Sequence, residues 1–454
     1  MRSRVAVVVA AMSLLAAACG QYAGVHERAV ASGQIAAGVG GSTAGLSGTG
    51  VSGGVGTGPS GAGGSLAGGG GGSGTTGSAG AGGAGAVGTA TAGGGDRTGV
   101  TANSITIGIH APLTGAAPLA QTSFVKGKDL YWNRGNGGKP VVIFGRRVQV
   151  VFQDDQYNPS HARLVCQQMA EQDNAFLLVG GGGTDQIQAC AQYAASQGIP
   201  YLSAGVTEIG LSQLANYFAL SKSYAQQAPM LASYVKQKFR PRASRVAMVA
   251  TNTANFDDAV QAFQQAYPGV AVFRPEKNER GSSMAGRLCT GTVKNFDVVF
   301  PLVAPTYYLE MAGAAKCNPQ YVGVGITMGL DSVARLGCDS RSTEGARFFS
   351  PAPAFADSNR FDGGFRRAGG SDDIMWLLWG LSKTLHQLFL KAGPNLTREG
   401  FIASTSRASV RTGIYPDIQY SRSNHFGAKQ VHLLRNVCQG GGRYVTERAF
   451  VSRF

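Results

Sequence analysis

From Ser104 onward, short β-rich apolar runs alternate with helix-length amphipathic segments. That alternation restricts the chain to mostly parallel sheets covered by helices on both faces. Ile105–Ile109 is a β-rich run closed by Pro112 and Gly115, and Ser123–Asn133 has helical composition. Val148–Phe152 predicts a strand ending at Asp154-Asp155; Asn158-Pro159 then supplies an N-cap and a proline at the first helical position. Phe176–Val179 reads as a buried strand, Gly180–Gly183 as a tight loop, and Thr184 or Asp185 as the cap of a helix reaching about Gln197. The pattern continues with helix Gln226–Lys238, strand Arg245–Val249, helix Asp257–Ala266, strand Val270–Phe273, helix Ser283–Leu288, strand Asp297–Leu302 and helix Tyr307–Lys316. In Asp373–Lys391 the residues Ile374, Leu377, Leu378, Leu381, Leu385 and Leu388 recur at helical spacing. Two successive sets of βα units predict an α/β chain of two doubly wound lobes. Ligands of such sheets sit beyond the carboxyl ends of the strands, which places a site between the lobes.

About 100 of the 454 residues precede this pattern. Arg2 and Arg4 give a positive start, and Val5–Ala17 is apolar but too short to span a bilayer, as in a secretory signal. The run Leu15-Ala16-Ala17-Ala18-Cys19-Gly20 resembles a bacterial lipobox. The resemblance implies a lipoprotein signal peptide over 1–19, with lipid carried on Cys19 after cleavage. Residues 20–97 form a Gly/Ser/Ala-rich tether. About 30 of the 68 glycines lie between Ser32 and Gly95, with no charge and almost no large apolar side chain. Such a segment cannot bury enough surface to offset its ordering entropy and is expected to be disordered, with a mean reach of roughly 45 Å. About 355 residues remain, enough for two cores.

The net charge is +15, from 40 Lys and Arg against 25 Asp and Glu. The cations are scattered, as at Arg146-Arg147, Arg240–Arg245 and Arg366-Arg367, which reads as a solvated basic surface; for nonspecific attraction, anionic headgroups and wall polymers are better candidates than nucleic acid. Apart from Cys19, the cysteines are Cys166, Cys190, Cys289, Cys317, Cys338 and Cys438, an even set that fits disulfides in an oxidising compartment. Connectivity is not determined by sequence; nearest-neighbour pairing, 166–190, 289–317 and 338–438, is the expectation. No CxxC, Cys/His, HxxxH or HExxH spacing is present, so no metal is expected. No GxSxG elbow or phosphate-cradling loop with the right strand-to-helix context and no nucleophile–base pair is present either, which argues against an enzyme and against a cofactor. Asp154-Asp155 is read as fixing a turn, His110 as a structural histidine near the cleft, and Trp376 and Trp379 as core.

Several stretches taken in order resemble one family. They are Ile107-Gly108, Pro112-Leu113-Thr114-Gly115, Gly127, Asn133, Gly137-Gly138, Gly145-Arg146, Asp154-Asp155, Asn158-Pro159, Ala162, Gly198-Ile199-Pro200, Ser203, Gly205, Thr207, Glu344-Gly345 and Asp372–Lys391. Together they resemble the extracytoplasmic solute-binding proteins of ABC importers, in the branched-chain amino-acid (Leu/Ile/Val-type) group. The resemblance implies the type I periplasmic-binding-protein fold: two Rossmann-like lobes, a hinge and an interlobe ligand cleft. Lobe 1 would take 104–219 and 352–414, and lobe 2 would take 220–351 and 415–454. The implied function is a membrane-anchored receptor in a bacterial cell envelope. It would capture an amino acid, amide or organic acid and deliver it to an ABC importer permease. The alternative is a ligand-binding sensor acting through a separate signalling partner. A monomer is expected.

The same resemblance implies the site. The loop Gly181-Gly182-Gly183-Thr184 would hold a ligand carboxylate, using backbone N–H groups and the positive end of a helix dipole. In Ser203-Ala204-Gly205-Val206-Thr207, Ser203, Gly205, the Val206 backbone and the Thr207 hydroxyl are the matching ligand groups. In lobe 2, Phe256 stands where family members carry a Tyr-Gly pair. Thr327 lies in a loop where an acidic residue often meets an ammonium. These departures widen the expected ligand beyond free amino acids.

Overall fold

The computed structural model describes residues 94–340 and 342–454. The segments expected to be a signal peptide with Cys19 and a tether lie, up to residue 93, outside the described residues.

The first sheet has six strands in the order β2-β3-β1-β4-β5-β6. These are β1 Ser104–Ala111, β2 Val142–Ile143, β3 Arg146–Asp154, β4 Leu177–Gly180, β5 Tyr201–Ser203 and β6 Tyr217–Ala219. Every pairing is parallel except that of β2 with β3. From β1 the chain steps to β3 on one side and then to β4, β5 and β6 on the other. The order therefore reverses between β1 and β4, and the loops leaving them part to open a crevice. β4 and the β1 residues from Ile107 onward are buried on both faces, as central parallel strands must be.

The second sheet has seven strands in the order β17-β16-β13-β12-β11-β7-β8. It comprises β7 Val246–Ala250, β8 Ala271–Phe273, β11 Val298–Leu302, β12 Gln320–Val324, β13 Arg347–Ser350, β16 Val431–Val437 and β17 Arg443–Val451. Two short hairpins stand apart, β9 Cys289–Thr290 with β10 Val293–Lys294, and β14 Ser409–Val410 with β15 Ile418–Gln419. The run β8-β7-β11-β12-β13 is parallel, while β16 and β17 are added antiparallel at the edge. After β13 the chain returns to the first sheet. There, helix Asp373–Ala392 packs on helix Gln121–Arg134, and Phe389 and Phe401 flank Phe176 beside β4. The result is two doubly wound α/β lobes.

Asn158 caps helix Pro159–Glu171 by accepting from the amides of Ser160 and His161 at 2.9 and 3.1 Å. Asn158→Ala is expected to cost about 1 kcal/mol in urea unfolding; an unchanged midpoint would mean that Pro159 alone sets the helix start. The next helix, Thr184–Ser196, corrects the expected cap. Gly183 is its N-cap, and neither Thr184 nor Asp185 caps it through a side chain.

Disulfides join Cys166 to Cys190, Cys289 to Cys317 and Cys338 to Cys438. The first ties two helices that cover the first sheet, and the others lie among elements of the second. None of the three bridges runs from one sheet's elements to the other's.

Candidate functional site

The crevice between β1 and β4 is shaped by glycine. A Cβ on Gly181 would fall 2.7 Å from the Ala111 Cβ, so only glycine lets β4 leave the sheet this close to β1. Gly183 has φ +78°, which swings the chain into helix Thr184–Ser196. The Gly181 amide donates to His110 O at 2.7 Å. The amides of Gly182, Gly183 and Thr184 donate to nothing among the described residues. They are the orphan donors of a helix start, and the helix dipole adds positive potential where they point.

His110 is fully buried behind this loop. Its Nδ1 lies 2.8 Å from Asp155 Oδ2 and its Nε2 lies 2.7 Å from the Tyr201 hydroxyl. Asp154 fixes the neighbouring turn by accepting from the Leu113, Thr114 and Gln156 amides and from the Thr114 hydroxyl. These bonds tie the β1 loop to the turn after β3, beside the glycine loop.

Next to Gly181 a pocket runs into the first lobe, with about 670 Å³ of atom-free space that is partly continuous with solvent. Ile109 and Val179 form its sheet wall and Phe124 part of a side. Helix Asp373–Ala392 roofs it with Ile374, Leu377, Leu378 and Leu381. Tyr415 also lines the pocket, its hydroxyl donating to Leu377 O at 2.8 Å. The second lobe closes the pocket with Ile326, Thr327 and Leu330. No lining residue is charged. The Thr327 hydroxyl makes no hydrogen bond among the described residues.

Polar contacts join the two lobes around this mouth. Asp185 accepts from Asn255 Nδ2 at 2.6 Å and pairs with Lys277. Asp258 accepts from the Thr207 hydroxyl at 3.0 Å and from the Glu208 amide at 2.8 Å. The Asp331 amide donates to Asp373 Oδ2 at 2.6 Å. Burial, with the nearby Asp331 charge adding to it, pushes the Asp373 carboxyl up to about 7. Asp331 is raised as well, mainly by burial.

The sequence profile of the periplasmic binding protein family matches residues 104–441. The chain belongs to the periplasmic binding proteins. A comparison with curated proteins returns no match. Solved structures share the fold. The fatty acid ABC transporter substrate-binding protein from Thermomonospora curvata is 16% identical with a TM-score of 0.63, over 79% of this chain and 98% of that one. A solute binding protein of an ABC transporter from Rhodopseudomonas palustris BisB5, solved with 3,4-dihydroxy benzoic acid, is 16% identical with a TM-score of 0.60, over 77% and 98%. The branched-chain amino acid transporter substrate binding protein from Streptococcus pneumoniae, solved with isoleucine, is 16% identical with a TM-score of 0.61, over 76% and 100%. The family is extracytoplasmic and its members bind small molecules. No helix among the described residues of this periplasmic binding protein is long and apolar enough to cross a membrane.

Of the residues singled out from the sequence of this binding protein, Gly181 and Thr327 line the pocket, and Gly182 sits between Pro112 and Thr327. Thr184 is buried beside the Tyr224 hydroxyl. Ser203 is buried, its hydroxyl shared between Ala204 O and the Tyr217 hydroxyl. The Gly205 amide donates to the Ser221 hydroxyl, and Val206 O accepts from the Tyr224 amide. Phe256 packs against Tyr224 with ring centroids 6.1 Å apart. The structure therefore brings Gly181, Gly182 and Thr327 to one mouth and engages the other side chains within the protein. Sequence reading missed the pocket itself, because Ile374, Leu377, Leu378 and Leu381 form a stripe indistinguishable from an ordinary core face.

Proposed function

We propose that this periplasmic binding protein captures an apolar organic acid. The carboxylate would rest on the amides of Gly182, Gly183 and Thr184 and on the Thr327 hydroxyl, with the apolar body under helix Asp373–Ala392. One observation carries the reading: the pocket beside those donors is uncharged and almost wholly apolar. A free amino acid fits less well. Its ammonium needs a carboxylate, and Asp185 and Asp258, which cross the cleft nearby, are already bonded to Asn255, Lys277 and Thr207. The ligands of the Thermomonospora and Rhodopseudomonas proteins, a fatty acid by name and a benzoate by structure, support this chemistry.

In this reading, lobes 104–219 with 352–414 and 220–351 with 415–454 hinge closed on the ligand. The loaded form docks on an ABC importer permease, and a lipid on Cys19 holds the protein to the membrane. Thermal unfolding against a panel of fatty acids, benzoates and branched-chain amino acids tests the ligand class. At 100 times its dissociation constant, an organic acid is expected to add about 2.7 kcal/mol. A shift with leucine and none with any non-amino acid would sink the assignment.

A further inference from the structure

We propose that the pole of the first lobe opposite the cleft docks on an anionic lipid bilayer, with Phe144 as its apolar tip. β2 and β3 are joined by Phe144-Gly145, with φ of +48° and +82°. This is a two-residue hairpin turn with both positions left-handed, which Asn-Gly satisfies without strain. A phenylalanine there carries a backbone cost, and its ring stays 40% exposed. Val142 in the same hairpin is 51% exposed. Both departures from local preference fall on one side chain, which marks it as serving something outside the fold.

The surroundings decide what that is. Arg146 donates from Nε to Thr101 O at 2.8 Å and from Nη1 to Pro394 O at 3.3 Å. This places the end of helix Asp373–Ala392, with exposed Leu390 and Lys391, at the same pole. Lys139 and Arg147 are exposed in and beside the hairpin. Of the acids at this pole, Asp96 pairs with Arg398, and Glu399 accepts from the Asp96 amide. The turn before β2, which includes Gly137 and Gly138, forms one wall of a surface pocket of about 770 Å³ that also carries Arg134, Arg367 and Lys383 against the single carboxylate of Asp362.

Gly94, the first described residue, lies two residues before Asp96, whose carboxylate holds Arg398 at 2.7 Å. The 93 residues before Gly94 therefore join the folded part at this pole. An apolar tip ringed by cations, beside the segment leading to the N-terminus, matches a surface that is anionic outside and apolar within. Docked this way, the carboxyl ends of the first sheet face away from the bilayer, and the cleft is open to the medium while it fills.

Sedimentation of the chain from Gly20 onward, which lacks Cys19 and the apolar leader, with phosphatidylcholine vesicles and with vesicles containing phosphatidylglycerol tests the proposal. The parent is expected to bind the anionic vesicles about tenfold or more tighter. Phe144→Asn with Val142→Ser should lower that binding about tenfold, because the buried ring is lost. The Tm should stay level or rise, because asparagine suits the turn. Arg147→Glu should weaken binding as well. Parent and Phe144→Asn/Val142→Ser chains binding alike would overturn the proposal, leaving only diffuse attraction from the net charge. A parent that binds neither vesicle would also overturn it.

Discussion

Gly182→Leu is expected to weaken binding of the stabilising organic acid roughly a thousandfold, about 4 kcal/mol, while the unliganded protein stays folded. A Cβ at Gly182 would stand 3.3 Å from Pro112 Cδ and 3.7 Å from Thr327 Cγ2, so the first carbon fits. The backbone at Gly182 is not left-handed, so leucine meets no φ penalty there. The remaining carbons must enter the gap between the β1 loop and Thr327, which is the mouth of the pocket. The lobes can relieve this crowding by parting, since none of the three disulfides among the described residues holds them together. The cost therefore falls on closure around a ligand and little of it on folding. Calorimetric titration alongside thermal unfolding separates the two. Full affinity in the leucine variant would move the carboxylate site away from this loop and leave the fold untouched.

The frame that carries this site is legible in the sequence because parallel βα units write their signal locally. Leu177–Val179 is a short apolar run, the next residues are glycines, and Asn158-Pro159 announces its helix. Elements whose reason lies elsewhere in the chain were not legible. β16 joins antiparallel to β13, about 80 residues upstream, β17 pairs antiparallel with β16, and nothing local gives their direction. Helices Asp331–Asp339 and Ser358–Arg367 are short and carry glycine inside them, at Gly337 and Gly363-Gly364, which masks an amphipathic spacing that is present. The site divides the same way. The glycine loop is visible because glycine is rare where a Cβ would do. The hydroxyl of Thr207 is tied to Asp258 because folding brings together residues 51 positions apart. Apolar residues that face a void and those that face a core obey one periodicity, so the pocket emerges only in three dimensions.

Asp373→Asn is expected to make the protein more stable than the parent at pH 8 and to lose that advantage as pH falls to 4. In the folded protein Asp373 is deeply buried and its carboxyl is pushed up to about 7, mainly by lost hydration, with Asp331 and Asp372 adding repulsion. Unfolded, the same carboxyl titrates near its ordinary value of 3.8. A folded pKa above the unfolded one means the folded state holds the proton more tightly. The associated stability is full below the unfolded value and is lost as pH rises through about 7. At about 1.4 kcal/mol per pKa unit the span is on the order of 4 kcal/mol. Buried His432, lowered to about 4 by burial, acts with the opposite sign between pH 4 and 6.5, but it is common to both chains and cancels in their difference. Asp373 Oδ2 accepts the Asp331 amide from the other lobe, so parting the lobes returns the carboxylate to water and frees its proton. Closure, and with it ligand affinity, should then strengthen in the parent as pH falls from 8 to 6, and should stay level in the asparagine variant. Urea unfolding of both chains at pH 4, 6 and 8, with titration of ligand at the upper two, measures each half. Parallel stability curves would show that Asp373 keeps its charge in the closed protein. Diverging stability with parallel affinities would place its proton uptake in folding and not in closure.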